Sequence, residues 1–188
     1  MSLTESNMLP IMTEAPHFKL PDVLTHDEVS FSDIQGEQGT VVMFICNHCP
    51  YVIHVNPQLV VIANEYQKKG IGFVAISSND VINYPEDTPD KMSIVSKVLK
   101  YPFPYLYDET QEVAKAYNAA CTPDIYVFDK KSRLHYRGRI DRSRPGNEFP
   151  QDGQDLRNAL ENMLDGNEPL AKQYPSAGCN IKWKNRIS

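Results

Sequence analysis

The sequence has no long apolar run. No window approaches the roughly 20 residues that a bilayer-spanning helix needs, which excludes a helical membrane anchor. It has no basic surplus either: 24 acidic residues against 19 basic ones leave a net charge of -5, which argues against nucleic acid or an anionic membrane as the main partner. The opening M-S-L-T-E-S-N-M-L-P lacks a basic n-region, a continuous apolar h-region and a small-residue cleavage site. A cytoplasmic protein in a reducing compartment is therefore expected. Cysteine is scarce, with four residues at 46, 49, 121 and 179, too few and too unevenly spaced for a disulfide framework. Internal repeats and low-complexity tracts are missing. The 188 residues, 41% of them hydrophobic, are expected to form one globular domain, with 1-14 a flexible arm, 15-165 the core and 166-188 an extended tail.

What the sequence does have is the stretch Thr40 to His54, T-V-V-M-F-I-C-N-H-C-P-Y-V-I-H. Val41 to Ile45 is a continuous run of apolar residues, two of them valines, the pattern of a strand buried on both faces. Cys46 and Cys49 follow, and Pro50 comes at once. Proline has no N–H to lose at the first helical position, so a helix is predicted to start near Cys49 or Pro50. The cysteines then sit at a helix N-terminus, where unpaired N–H groups and the macrodipole favour a thiolate. In a reducing compartment such a C-x-x-C is a catalytic pair or half a metal site. His48 beside Cys49 adds a titratable imidazole. Together with the helix end it can lower a cysteine pKa from about 8.5 to roughly 3.5–7.5.

Along the rest of the chain, P-H-F-K-L-P-D-V from Pro16 reads as an edge strand or hairpin. Val52, Val55, Leu59, Ile62, Ala63 and Tyr66 recur at helical spacing up to Lys68–Gly70, with Pro57 expected to kink that helix. Ile71 to Ser77 is a second buried strand, so strand, helix and strand make a parallel βαβ unit. Thr88 and Pro89 open a helix toward Lys100, and Y-P-F-P-Y-L-Y-D is a short edge strand or extended link. Glu109 to Ala119 is helical, Ile125 to Asp129 and Leu134 to Asp141 form an antiparallel hairpin, and Asp152 to Leu164 is the last helix.

This order is the thioredoxin arrangement with an enlarged N-terminus. The predicted fold is an α/β, thioredoxin-like three-layer α/β/α sandwich with a mixed central sheet and an N-terminal β extension. C-N-H-C-P at the junction, with Thr122-Pro123 before a later strand, resembles the thioredoxin superfamily. The blocks A-P-H-F-K-L, F-I-C-N-H-C-P-Y-V, Y-P-E-D-T-P, A-C-T-P-D-I-Y-V-F-D and G-C-N-I-K-W-K resemble its AhpC/TSA, peroxiredoxin-like branch, in the group that carries a C-x-x-C. The resemblance implies a thiol-disulfide oxidoreductase without a cofactor. Cys46 would attack, Cys49 would resolve, His48 would tune the pair, and Thr122, Pro123 and Pro50 would hold substrate. Its partners would be a disulfide-bearing protein, a small thiol substrate or peroxide, and a thioredoxin- or glutathione-type reductant.

Two other readings stay open. As a thiol peroxidase, the protein would use Cys49 as the peroxidatic cysteine and Cys46 to resolve it. The threonine and proline of the peroxiredoxin pattern are here Cys46 and Val42, however. The thioredoxin pattern is incomplete as well, with Ile45 at its tryptophan and Thr40 at its buried acid. As a Cu(I) or Zn carrier, the chain would use Cys46, Cys49 and Cys121. Cys121 and Cys179 are possible accessory thiols, Cys179 with Trp183 being expected mainly to pin the tail. Arg137, Arg139 and Arg142 are either anion-stabilising or the solvated face of a hairpin, and His54, Asn79 and Asp80 either face the site or shape its surroundings.

Overall fold

The computed structural model describes residues 3–185. A short strand β1 (Leu3–Glu5) precedes the hairpin β2 (Lys19–Pro21) and β3 (Glu28–Ser30), which runs into the one-turn helix α1 (Phe31–Ile34). Then come β4 (Gly39–Phe44), α2 (Pro50–Gln67), β5 (Ile71–Ser77), α3 (Pro89–Leu99), β6 (Tyr105–Tyr107) and α4 (Glu112–Ala116). The chain closes with β7 (Cys121–Thr122), β8 (Asp124–Asp129), β9 (Leu134–Gly138), α5 (Gln154–Leu164) and β10 (Ala177–Asn180).

The central sheet has the order β6-β5-β4-β8-β9 and is mixed. β4 pairs parallel with β5 and antiparallel with β8, so it lies in the middle with every residue buried. A strand in that place has no solvated face, which is why its sequence is an unbroken apolar run. Alternation along it feeds two cores. Val41 and Met43 point to the layer of α2, α3 and α5, through Leu59, Met92 and Leu160. Val42 and Phe44 point to the layer of α1, α4 and the β2–β3 hairpin, through Phe31, Ala114 and Leu20. Each such side chain contributes about 1.5–3 kcal/mol by leaving water. The result is the expected sandwich with its N-terminal hairpin.

Two parts of the chain differ from the sequence reading. The flexible arm is held: β1 pairs antiparallel with β10, Leu3 opposite Cys179, and the Met12 N–H donates to the Leu134 carbonyl. Backbone pairing of a three-residue strand leaves no side-chain pattern to read. The tail is extended but also fixed, because β10 pairs antiparallel with β7 on its other edge. Residues 1–2 of the expected arm and 186–188 of the expected tail lie outside the described residues. Trp183 does not pin the tail, being 41% exposed, while Ile181 is buried at 1%. Among the described residues no helix is long and apolar enough to cross a membrane.

Candidate active site

Because β4 is the buried central strand, its carboxyl end delivers Cys46 to the edge of the sheet where α/β folds place ligands. The chain turns through Asn47 and His48, and Cys49 becomes the N-cap of α2 with Pro50 at its first position. Cys49 has extended backbone (φ -71, ψ 120), and its carbonyl accepts from the Val52 and Ile53 amides at 3.0 Å each. α2 continues unbroken through Pro57.

Thr122 faces the pair from β7, joined to Pro123 by a cis peptide bond. Its hydroxyl lies 3.4 Å from Cys46 Sγ. In the fully protonated pair the Cys49 thiol donates to the Thr122 carbonyl at 3.2 Å. The two sulfurs are close enough for each to shift the ionisation of the other. Cys46 and Cys49 are 2% and 0% exposed, so Cys46 is the one with any surface at all.

The third side of the site is Asp87, fully buried, from the 3-10 turn Pro85–Asp87. Its Oδ1 accepts from the Asn47 amide at 2.8 Å and the His48 amide at 3.4 Å. Its Oδ2 lies 2.7 Å from His48 Nδ1 and accepts from Asn79 Nδ2 at 2.7 Å. The carboxylate thus holds both residues between the cysteines by their backbone and orients the imidazole, which stacks on Tyr84 at 5.7 Å. Asn79 is fixed in turn, its Oδ1 accepting from the Lys182 amide at 2.9 Å.

These contacts set the ionisation of the pair. Cys49 is lowered to about 5, first by the hydrogen bond from the Cys46 thiol, with Cys179 and Thr122 adding to it against the cost of burial. Cys46 is driven well above the ordinary thiol range by the same hydrogen bond, by burial and by the negative charge of Asp87. The two directions describe one system: the first proton leaves easily, and the second would place two charges on touching sulfurs. These directions favour the pair as a monoanion.

The structure brings Cys46, His48, Cys49, Thr122 and Pro123 together. Pro50 is exposed beside them, and Pro123 lines a shallow depression with Tyr51, His54 and Ser176. Cys121 is buried and aims its sulfur at the Pro123 carbonyl, 3.6 Å away, and burial raises its pKa. Among the described residues the one group with metal-ligand spacing is Cys46, His48 and Asp87, not the Cys46, Cys49 and Cys121 set of the metal-carrier alternative. Both Asp87 oxygens in that group already accept from protein donors.

Arg137 is neither a solvated residue nor a thiolate partner. It is fully buried against Asp124 at 2.9 Å, stacked on Tyr126 at 4.5 Å, and it donates to the Asn118 carbonyl. Arg139 pairs with Asp155, Arg142 lies over Phe149, and His54 bonds Ser143. Asn79 reaches the site only through Asp87 and Lys182, and Asp80 caps its own loop at Ile82 and Asn83. Sequence reasoning passed over Asp87 and the Thr122 hydroxyl contact. The signal for Asp87 was the fixed Y-P-E-D-T-P turn, whose two prolines hold a carboxylate rigidly.

The chain is similar to solved structures over its whole length. An uncharacterized conserved protein from Geobacillus kaustophilus shares 53% identity at a TM-score of 0.97, covering 100% of this chain and 99% of that one. The hypothetical protein SMc02350 from Sinorhizobium meliloti 1021 shares 41% at a TM-score of 0.93, covering 96% and 98%. The thioredoxin domain of thiol-disulfide oxidoreductase BVU-2223 from Bacteroides vulgatus shares the fold, with 16% identity, a TM-score of 0.62 and coverage of 81% and 99%. None of the curated proteins compared with the chain matches it. The AhpC/TSA family profile matches residues 11–137, more than half the sequence, and on that match this thioredoxin-like chain belongs to the AhpC/TSA family.

Proposed function

We propose that the protein is a thiol-disulfide oxidoreductase whose Cys46–Cys49 pair cycles between dithiol and disulfide. The observation that carries this reading is the placement of the pair: Cys46 at the end of β4 and Cys49 at the N-cap of α2, both against Thr122 of the cis Thr122-Pro123 peptide. Cys46, the sulfur with residual exposure, attacks a substrate disulfide and passes its proton across the hydrogen bond to Cys49. One substrate sulfur leaves as thiolate. Cys49 then loses its proton, attacks Cys46 Sγ and expels the second substrate sulfur, which takes that proton. The monoanionic pair and one disulfide become the Cys46–Cys49 disulfide, one thiol and one thiolate. Asp87 keeps the loop and His48 in place throughout. A thioredoxin- or glutathione-type dithiol or thiol of a reducing, cytoplasmic compartment restores the pair.

Family membership and the low pKa of Cys49 also support peroxide reduction, with Cys49 oxidised to the sulfenic acid and Cys46 closing the disulfide. Against it stand a thiol at the position of the threonine hydroxyl and an Arg137 committed to Asp124. The test of the favoured order is covalent trapping with a protein disulfide as substrate. C49S is expected to accumulate a mixed disulfide through Cys46, and C46S none. Trapping through Cys49 in C46S, with none in C49S, would reverse the assignment.

A further inference from the structure

The tail reaches the active site along a path fixed by its backbone. Cys179 stands opposite Thr122 in the β10–β7 register, and Thr122 is the residue that touches both active-site sulfurs. The strand is fastened on either side of that point. The Ser176 hydroxyl donates to the Pro123 carbonyl at 2.5 Å, and the Ile181 amide donates to the Ala120 carbonyl at 3.1 Å. Between them Gly178 passes so close that a Cβ would lie 2.0 Å from the Thr122 carbonyl oxygen. Only glycine allows this approach. Cys179 is thereby buried at 3% exposure, and both its backbone N–H and its thiol reach the Cys49 sulfur. Cys49 therefore touches two thiols at once, Cys46 and Cys179.

We propose that Cys179 is a third redox thiol, which attacks Cys49 Sγ of the Cys46–Cys49 disulfide and transfers that disulfide to Cys49–Cys179. This inference rests on the Cys46–Cys49 couple proposed above. The exchange is balanced without any added oxidant or reductant. The bond between Cys46 and Cys49 breaks, the bond between Cys49 and Cys179 forms, and the proton of Cys179 passes to the departing Cys46 sulfur. Both sides hold one disulfide and one thiol, and the two electrons were already withdrawn by the substrate disulfide. Cys46 can return the bond by attacking Cys49 again, so the oxidised protein holds two disulfide isomers in exchange.

The site also supplies a reason for the order of events. In the reduced protein Cys179 is pushed up to about 12, first by burial and then by its hydrogen bond to Cys49 and the charge on that sulfur, with Lys182 opposing. Once Cys49 is in a disulfide it carries no charge, so its contribution to raising Cys179 falls away, while burial and Lys182 remain. Oxidation of the pair thus eases ionisation of the third thiol without removing the cost of burial.

The experiment exposes reduced wild type, C46S, C46A and C179S to oxidised glutathione, quenches with an alkylating agent and maps tryptic peptides without reduction. No lysine or arginine separates Cys46 from Cys49, so their disulfide stays within one peptide, whereas Cys49–Cys179 joins two. Wild type is expected to yield both products, C179S only the internal disulfide, and C46S and C46A, which cannot form the Cys46–Cys49 disulfide that the relay starts from, neither. C46A stands beside C46S so that a property of one replacement side chain does not decide the result. If wild type and C179S form Cys46–Cys49 while wild type lacks the joined pair, or if C46S and C46A form the joined pair as fast as wild type, the relay is overturned and the couple stands. If neither wild type nor C179S forms Cys46–Cys49, the couple fails and the relay fails with it.

Discussion

Asp87→Asn keeps the shape of the buried residue and removes its charge, which isolates what that carboxylate does. An amide has one acceptor where the carboxylate has two. If its oxygen serves the Asn47 and His48 amides, its NH2 faces His48 Nδ1 and Asn79 Nδ2, each 2.7 Å from the present oxygen. The imidazole can change tautomer and accept. Asn79 cannot turn, because its own oxygen is engaged by the Lys182 amide. One buried donor is then opposed by another, at about 1–3 kcal/mol, and a bond to a charged acceptor worth about 1.5–3 kcal/mol is gone. A loss of roughly 3–5 kcal/mol follows, which for a domain of this size lowers the Tm by roughly 6–20 °C. Urea unfolding of the reduced protein measures the loss. The same variant removes a charge that holds Cys46 up, so the second thiol proton should leave at lower pH in a titration followed by thiolate absorbance. Stability within about 0.5 kcal/mol of wild type, together with an unchanged titration, would refute the role given to Asp87.

Three other expectations are independent of that one. Cys49 is lowered in the folded protein from 9.0 to about 5, so its share of stability is fully present above pH 9 and lost as pH falls toward 5. Reduced wild type should therefore gain up to about 5 kcal/mol over oxidised protein between pH 5 and 9, and reduced C49S should not. R137M leaves Asp124 buried and uncompensated and should cost about 3–5 kcal/mol in urea unfolding, most of it regained in the D124L/R137M double variant. G178V forces β10 away from Thr122, so it should lower stability by about 1–3 kcal/mol and speed alkylation of Cys49 in the reduced protein.

What could be read from the sequence was whatever local periodicity encodes. The β4 run, the α2 stripe and the C-x-x-C between them were legible because each depends on neighbours within a turn or a strand, and Thr122-Pro123 because proline marks its own backbone. Asp87 was not, since a carboxylate in a polar loop looks solvated until three segments of chain close over it. Arg137 was misread for a related reason. Alternation on β9 says which residues share a face but not what covers that face, and its partner Asp124 lies on the adjacent strand. The β1–β10–β7 sheet was hidden because strands of two to four residues pair through backbone groups that every sequence has. Its effect on function is large, for it sets Cys179 against Cys49.

The most direct test of the central claim compares two oxidants on the reduced protein, an equimolar small-molecule disulfide and equimolar hydrogen peroxide, with thiols counted and disulfides mapped over time. The account expects the disulfide to consume two protein thiols and release two equivalents of small thiol through the Cys46–Cys49 pair, while peroxide acts only at the rate of an ordinary thiol. Peroxide oxidation far faster than that, ending in the Cys46–Cys49 disulfide while the small-molecule disulfide leaves the protein reduced, would contradict it and make the site a peroxidase.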